Sequence, residues 1–236
     1  MGQSLSEFAI TRRWPPKHSD RLQLYSLPTP NGVKVSIMLE ETGLPYEVHR
    51  IDFGKGDQRS PEFLSLNPNG KIPAIIDPDG PGGEPLTLFE SGAILCYLAE
   101  KAGKLLPTDP VERWHATQWV FFQVGHIGPM FGQVGFFYKF EGREWDDKRA
   151  LNRYAEESRR LLGVMDGHLA GRRWFVGEDF SIADISMLGM VCNLLEFYQA
   201  GELVDFARFT AVAAWLQRGL ARPAVQRGLA IPAAPA

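Results

Sequence analysis

Glu90 and Ser91 could together hold a zwitterionic ligand group. They follow a short apolar run, and Ile94, Leu95 and Leu98 continue at helical spacing, so Ser91 is predicted as the N-cap of a helix. The first N–H groups of a helix are unpaired and carry partial positive charge, so they can hold a carboxylate. Because the carboxylate of Glu90 can hold an ammonium, this helix start predicts a site for an α-amino acid group.

A second candidate lies in residues 29–32, Thr-Pro-Asn-Gly, which follow the first predicted strand. The hydroxyl of Thr29 and the side-chain amide of Asn31 can each donate a hydrogen bond, and either could hold a thiolate supplied by a ligand. The alternative is an ordinary turn with a helix cap, and the residues alone leave both open. Tyr25 is a rival hydroxyl that we interpret as strand packing, and Ser26 is a weaker alternative donor.

The elements that must position these groups follow the order βαβ, helix, ββ, helix, which predicts a thioredoxin-like α/β domain (βαβαββα). A helix ending at Gly43 separates the first two strands, and a turn rich in glycine and proline separates the last two, which form a hairpin. The predicted strands are residues 22–25, 46–51, 72–76 and 86–89, and a short helix is predicted over residues 60–64.

Strand patterns end at residue 102, and an all-helical second domain is predicted after it. Residues 111–138 are apolar and aromatic, with a kink expected near Gly128 and Pro129. Ser181 and Asp184 form a capping-box variant that starts a buried helix, so we assign both a folding role. The predicted boundaries are an N-terminal arm (1–20), the thioredoxin-like domain (21–102), a linker (103–110) and the helical domain (111–236).

Composition excludes several classes of function. A net charge of −3 predicts no general attraction to nucleic acid or to an anionic membrane, and no apolar run reaches the length of a membrane span. Cys96 and Cys192 lie far apart without a C-x-x-C motif, which favours a reducing cytosol and argues against a zinc site. His115 and His126 could share one face of a straight helix, but they would lie too far apart to share a metal. Residues 1–20 do not have the pattern of a signal peptide. We therefore expect a cytoplasmic protein with no metal.

Taken together, a strand opened by proline, a second strand, Glu-Ser and a helix resemble the glutathione-binding half of the glutathione transferase superfamily. The match is closest to the bacterial Nu class, which is related to the C-terminal domain of a fungal prion-forming nitrogen regulator. This resemblance implies the cytosolic glutathione transferase fold, a homodimer, and glutathione-dependent disulfide-bond reduction with weak transferase and peroxidase activity. The stretches that carry it are residues 29–32, 54–58, 67–73, 89–92 and 128–133.

The resemblance also implies a role for individual residues. Thr29 and Asn31 would take the glutathione sulfur, the Ile72–Pro73 bond would be cis, and Arg153 would reach a glutathione carboxylate. The ligand would be reduced glutathione or its disulfide. The residues implied to hold the peptide are Gln58, Lys71, Ile72, Glu90 and Ser91.

Phe136, Phe137 and Tyr138 are candidates for an apolar wall around a second substrate, a small disulfide or electrophile; the alternative is that they are core or dimer contacts. Two other functions remain open. One is a non-catalytic glutathione-binding module that regulates or binds a protein. The other is a glutathione lyase acting on aromatic thioethers or ethers.

Overall fold

A four-stranded sheet organises the first half of the computed structural model, which describes residues 5–234. The strands are β1 (Leu22–Ser26), β2 (Tyr46–Arg50), β3 (Ala74–Asp77) and β4 (Leu86–Phe89). They lie in the order β2-β1-β3-β4, with β1 parallel to β2 and antiparallel to β3, and with β3 antiparallel to β4. Every residue of β1 is buried, as expected for an inner strand covered on both faces. The predicted thioredoxin-like arrangement is confirmed.

The helices of this part begin and end where the sequence supplies the chemistry. Gly43 ends the second helix in a left-handed conformation (φ 75°), and its N–H bonds the carbonyl of Leu39 at 2.9 Å. Ser60 caps the third helix by accepting from the N–H of Phe63 at 3.2 Å. These helices are α1 (Ile10–Arg13), α2 (Gly32–Thr42), α3 (Pro61–Leu66) and α4 (Ser91–Ala102).

The turn from β1 into α2 requires glycine at position 32. A Cβ atom there would lie 1.9 Å from the carbonyl oxygen of Leu27 and 2.6 Å from Oγ of Ser26. The first turn of α2 therefore packs directly against the end of β1. This close approach fixes Thr29 and Asn31 at the N-terminal end of α2.

The described part of the segment before β1, which the sequence predicts as an N-terminal arm, is folded. Leu5 and Ile10 are buried in a cluster that includes Tyr25 and Phe63, and α1 spans part of the segment. Arg13 forms an ion pair with the buried carboxylate of Asp57. The apolar residues Leu5 and Ile10, which precede the arginines and prolines of this segment, account for its packing. Residues 1–4 of the predicted arm lie outside the described residues.

The second half of the described chain is helical, as predicted. The expected kink is a π-helical segment, Gln123–Ile127, which joins the first two helices just before Gly128 and Pro129. The helices are α5 (Pro110–Phe122), α6 (Gly128–Tyr138), α7 (Arg149–Leu169), α8 (Ile182–Cys192) and α9 (Thr210–Leu220). Among the described residues, no helix is both long and apolar enough to cross a membrane.

The predicted capping box starts α8. The hydroxyl of Ser181 accepts from the N–H of Ala183, and the carboxylate of Asp184 accepts from the N–H of Ser181 at 3.0 Å. Asp184 also accepts from the N–H of Phe175 and from the indole N–H of Trp215. One buried carboxylate therefore joins three segments of the helical part, which confirms its folding role.

The chain divides into two compact units whose ends differ from the predicted boundaries. One unit comprises the residues up to Ala102 together with those from Ala224 onward, and the other spans Gly103–Pro223. Residues 103–110, predicted as a linker, belong to the second unit, where the carbonyl of Leu105 accepts from the N–H of Ile182 at 2.8 Å. The last helix, α10 (Pro223–Leu229), carries the chain back to the first unit.

The C-terminal helix α10 contacts α2 of the first unit through two side-chain interactions. The hydroxyl of Ser36 in α2 donates to the carbonyl of Gly228 at 2.6 Å, and Arg227 pairs with Glu40 at 2.5 Å. The sequence placed residues 111–236 in one helical domain because α10 itself is helical. Its packing partner lies almost 200 residues earlier in the chain, which no local pattern indicates. Residues 235–236 of that predicted domain lie outside the described residues.

Candidate functional site

The turn between β1 and α2 holds the two predicted sulfur ligands. The Oγ1 atom of Thr29 accepts from the N–H of Gly32 at 3.3 Å, and the carbonyl of Thr29 accepts from Val33 at 2.9 Å. Because that oxygen already accepts from the helix, its own proton can be donated to another group. Asn31 is exposed and occupies the N-cap position of α2 without capping it through its side chain.

A buried lysine, which the sequence analysis missed, contacts Asn31. The Nζ atom of Lys34 lies 2.8 Å from Oδ1 of Asn31 and 3.1 Å from Oγ of Ser91. Its exposed fraction is 0%. Burial lowers the pKa of Lys34 from 10.5 to about 7, while the carboxylate of Glu90 acts in the opposite direction. The sequence did offer one signal for this contact: Lys34 follows Asn31 by three residues, so both lie on one face of a helix whose other positions are mostly buried.

Glu90 and Ser91 begin α4, but in different roles from those predicted. The carbonyl of Glu90 accepts the first helical hydrogen bond, from Ile94 at 3.0 Å, so Glu90 holds the N-cap position and Ser91 is the first helical residue. The prediction of Ser91 as the N-cap was wrong because its hydroxyl contacts Lys34 and Asn31 instead. Glu90 is exposed and has a left-handed backbone (φ 70°), a strained conformation of the kind that clusters at ligand sites.

Gln58 and the loop before β3 form another part of the first unit. Oε1 of Gln58 is buried and has no hydrogen-bond partner among residues 5–234, so it could accept from a ligand. A Cβ at Gly70 would lie 3.1 Å from the backbone oxygen of Gln58, which shows that the two loops are adjacent. The side chain of Asn67 holds this loop by donating to the carbonyl of Lys71 at 2.6 Å.

The peptide bond between Ile72 and Pro73 is cis and immediately precedes β3. Ile72 is buried, whereas the side chain of Lys71 is exposed. The first residue of β3, Ala74, pairs with Tyr25 of β1 on one side and with Phe89 of β4 on the other. The sheet therefore places the cis bond beside the end of β1 and the end of β4, each of which leads into one of the predicted ligand-holding turns.

Tyr25 and Ser26 are completely buried. The ring of Tyr25 stacks on His49 at 4.7 Å, and its hydroxyl has no hydrogen-bond partner in the described part of the chain. Burial raises the pKa of the Tyr25 hydroxyl above its usual value, and Glu47 adds to this effect. Because a buried, unpaired phenol is a poor thiolate donor, these observations favour the strand-packing interpretation.

The remaining predicted site residues lie in the second unit. Arg153 is an exposed residue of α7. Phe137 and Tyr138 line a cavity of about 460 Å³, together with Lys139, Arg143, Lys148, Leu151, Tyr198 and Gln199. Phe136 is not part of this lining and packs edge-on against Phe137 and Trp145.

The two cysteines are half-buried, and burial, aided by Glu196, raises the pKa of the Cys192 thiol to about 11. A thiol with such a pKa is a weak nucleophile near neutral pH. Within residues 5–234, no group of His, Cys, Asp and Glu side chains could hold a metal ion.

The structure defines a thioredoxin-like domain without a cysteine at its β1–α2 turn, followed by a helical unit, a class of protein in which any thiol at this turn must come from a bound ligand. Family models agree with this class. The model described as "Glutathione S-transferase, N-terminal domain" matches residues 20–100, and the one described as "Glutathione S-transferase, C-terminal domain" matches residues 127–223. The chain belongs to the glutathione transferase family, as the sequence predicted.

Individual relatives lie in the predicted part of this family. The disulfide-bond oxidoreductase YfcG of Escherichia coli (strain K12) is 44% identical over 209 residues, covering 88% of this chain and 94% of YfcG. A glutathione transferase from Pseudomonas putida, solved with one glutathione disulfide bound per subunit, is 62% identical with a TM-score of 0.96, covering 98% of this chain and 100% of that one. Another, from Burkholderia graminis with two glutathione molecules per subunit, is 60% identical with a TM-score of 0.97, covering 100% of this chain and 98% of that one.

Proposed function

We propose that this chain is a glutathione-dependent disulfide-bond reductase with glutathione transferase activity, in which Thr29 and Asn31 stabilise the thiolate of bound glutathione. The observation that carries the proposal is the pair of side-chain donors at the N-terminal end of α2, where related folds use a cysteine and this sequence has none. Helix N–H groups and two neutral donors favour the thiolate over the thiol.

The reaction follows from thiol–disulfide exchange. The glutathione thiolate attacks one sulfur of the disulfide, a mixed disulfide forms, and the other sulfur leaves as a thiolate that takes up a proton. A second glutathione thiolate then attacks the mixed disulfide at the glutathione sulfur, which gives glutathione disulfide and releases the second product thiol. Two glutathione molecules supply the two electrons, so the protein needs neither a metal nor a cysteine of its own.

We assign the rest of the glutathione molecule to the residues around this turn. The carboxylate of Glu90 would hold the γ-glutamyl ammonium, while Ser91 and the N–H groups of α4 would hold its carboxylate. The backbone of Ile72 would pair with the cysteinyl unit, and Lys71 would reach the glycine carboxylate. The buried oxygen of Gln58, which lies beside the loop of Lys71, would accept an N–H of the peptide. Arg153 remains a proposed ligand for a glutathione carboxylate.

We further propose a homodimer that works in the cytoplasm, where glutathione is kept reduced. Its second substrate would be a small disulfide or electrophile. Phe137 and Tyr138 are proposed to contact this substrate because they line the cavity of the second unit, which has a volume typical of small-molecule pockets. Phe136 would support Phe137 from behind.

The decisive experiment measures reduction of 2-hydroxyethyl disulfide, coupled through glutathione reductase to NADPH consumption. Substituting both Thr29→Ala and Asn31→Ala should lower kcat/KM at least about 100-fold, because donors aimed at a developing anion contribute on this scale. Tyr25→Phe is the matched control, and it should change kcat/KM by less than about twofold since its buried hydroxyl has no hydrogen-bond partner among residues 5–234.

The reverse pattern, with turnover lost in Tyr25→Phe and retained in the double variant, would refute the assignment. A wild-type protein that binds glutathione by calorimetry but reduces no disulfide would favour the non-catalytic binding module. Cleavage of an aromatic thioether or ether in place of disulfide reduction would favour the lyase.

A further inference from the structure

Lys34 connects two parts of the site that lie 60 residues apart in sequence. Its amine donates to the side-chain oxygen of Asn31, in the turn before α2, and to the hydroxyl of Ser91, at the start of α4. The hydroxyl of Ser91 lies 3.4 Å from the same oxygen of Asn31. These three side chains form a network behind the exposed face of Asn31.

The chemistry of the network decides which end of the Asn31 amide faces outward. The Nζ atom of Lys34 donates to Oδ1 of Asn31 at 2.8 Å, so the end of the amide that faces Lys34 is the oxygen. The NH₂ group at the other end of the amide then points away from Lys34, and Asn31 is exposed on that side. A thiolate is an acceptor only, so it needs this donor end of the amide.

Burial makes a lysine costly at this position. The side chain has no exposed surface, and desolvation of the ammonium opposes folding, as the lowered pKa of Lys34 reflects. A buried apolar residue of similar length would avoid this cost. The amine therefore carries a cost that an apolar side chain would not, and its hydrogen bonds to Asn31 and Ser91 point to a role in holding these two side chains.

We propose that Lys34 is a positioning residue that fixes the Asn31 amide with its NH₂ group toward the sulfur of bound glutathione and links this orientation to Ser91. The inference rests on the proposed function, which gives Asn31 the sulfur. Lys34 itself touches no part of the ligand; it acts through Asn31. Without Lys34, the Asn31 amide can turn its oxygen toward the thiolate, and the oxygen would repel the thiolate.

The test compares Lys34→Met alone and in the Asn31→Ala background, and it measures kcat, KM and ligand affinity. Lys34→Met should lower kcat/KM roughly 10- to 100-fold, the range found when a residue supporting a ligand-binding group is lost, with most of the loss in kcat. In the Asn31→Ala background, the same substitution should cost less than about twofold, because the amide that it orients is absent. Lys17→Met removes a charge from an exposed position and is the matched control.

Calorimetry keeps this inference separate from the proposed function. Lys34→Met should weaken binding of glutathione at a pH where its thiolate forms, and should change binding of S-methylglutathione by less than about threefold, because a thioether cannot form a thiolate. This comparison holds even if the wild-type protein proves inactive toward disulfides, a result that would overturn the proposed reductase activity alone.

Two results would overturn the role of Lys34. One is an equal loss of kcat/KM in the wild-type and Asn31→Ala backgrounds, and the other is an equal loss of affinity for the two ligands. Unfolding curves check that each variant is folded. If Lys34→Met is unfolded, Lys34→Gln, which keeps an N–H donor on a shorter side chain, replaces it in the same cycle and should retain part of the coupling.

Discussion

The two donors proposed to hold the thiolate are oriented by different means. The Thr29 hydroxyl oxygen accepts a hydrogen bond from the backbone N–H of Gly32 in α2, so the hydroxyl proton points toward another acceptor. Asn31 depends on the amine of Lys34, a side chain that lies completely inside the protein. A backbone donor is part of the fold, whereas a buried amine can change its charge, so the two halves of the sulfur site should respond differently to pH.

Lys34 should make the stability of the protein depend on pH above neutrality. Its pKa is about 7 in the folded protein and near 10.5 as a free side chain, so between these values the unfolded chain binds more protons than the folded one. The free energy of unfolding should therefore rise with pH in this window, by up to about 1.4 kcal/mol per pH unit.

Urea unfolding at several pH values between 7 and 10 measures this slope. Lys34→Met should flatten it relative to the wild-type protein, whereas Lys17→Met should leave it unchanged. Lys17 is exposed and Lys34 is buried, so the difference between the two variants measures the effect of burying the amine. A Lys34→Met variant with the wild-type slope would show that the buried amine keeps an ordinary pKa.

Local sequence patterns predicted the helices and strands, but not the contacts between residues that are distant in sequence. The capping box at Ser181 and Asp184 was predicted because all its partners lie within four residues. Lys34 was missed because its contact with Ser91 spans 57 residues and depends on how α2 packs on α4. The N-cap at Glu90 was misplaced for the same reason: the hydroxyl of Ser91 has a distant partner that outcompetes the local one.

At the scale of elements, the N-terminal segment supports the loop that carries Gln58. Arg13 is the last residue of α1, and its guanidinium pairs with one carboxylate oxygen of Asp57. The other oxygen of Asp57 accepts from the N–H of Asp52 at 2.8 Å. Asp57 is buried, so its ion pair and this hydrogen bond hold the loop in one conformation. Gln58 is the next residue, and its position depends on theirs.

Arg13→Ala should therefore raise the KM for glutathione several-fold while leaving kcat nearly unchanged. The substitution leaves a buried carboxylate without its partner and loosens the loop, which affects ground-state and transition-state binding alike. Arg12→Ala, which removes the exposed neighbouring charge, should leave KM unchanged. The same rise in both variants would point to a general charge effect rather than to the loop.

At the scale of the whole molecule, the chain returns to its first unit after completing the second. The backbone of Gly228 in α10 packs on Ile37 of α2, one turn beyond Lys34, and Ser36 donates to its carbonyl. The helix that carries the candidate site is thus covered by α10.

Gly228→Ala should test this closure. A Cβ there would lie 2.5 Å from Cα of Ile37, and because backbone atoms cannot rotate away, α10 must shift; we expect a loss of about 1–3 kcal/mol in the free energy of unfolding. Gly167→Ala is the matched control, since a Cβ at this interior position of α7 meets no atom within 4 Å and should stabilise the protein by about 0.5–1 kcal/mol. Because α10 covers α2, Gly228→Ala should also lower disulfide reduction, and equal stability of the two variants would show that α10 does not hold α2 in place.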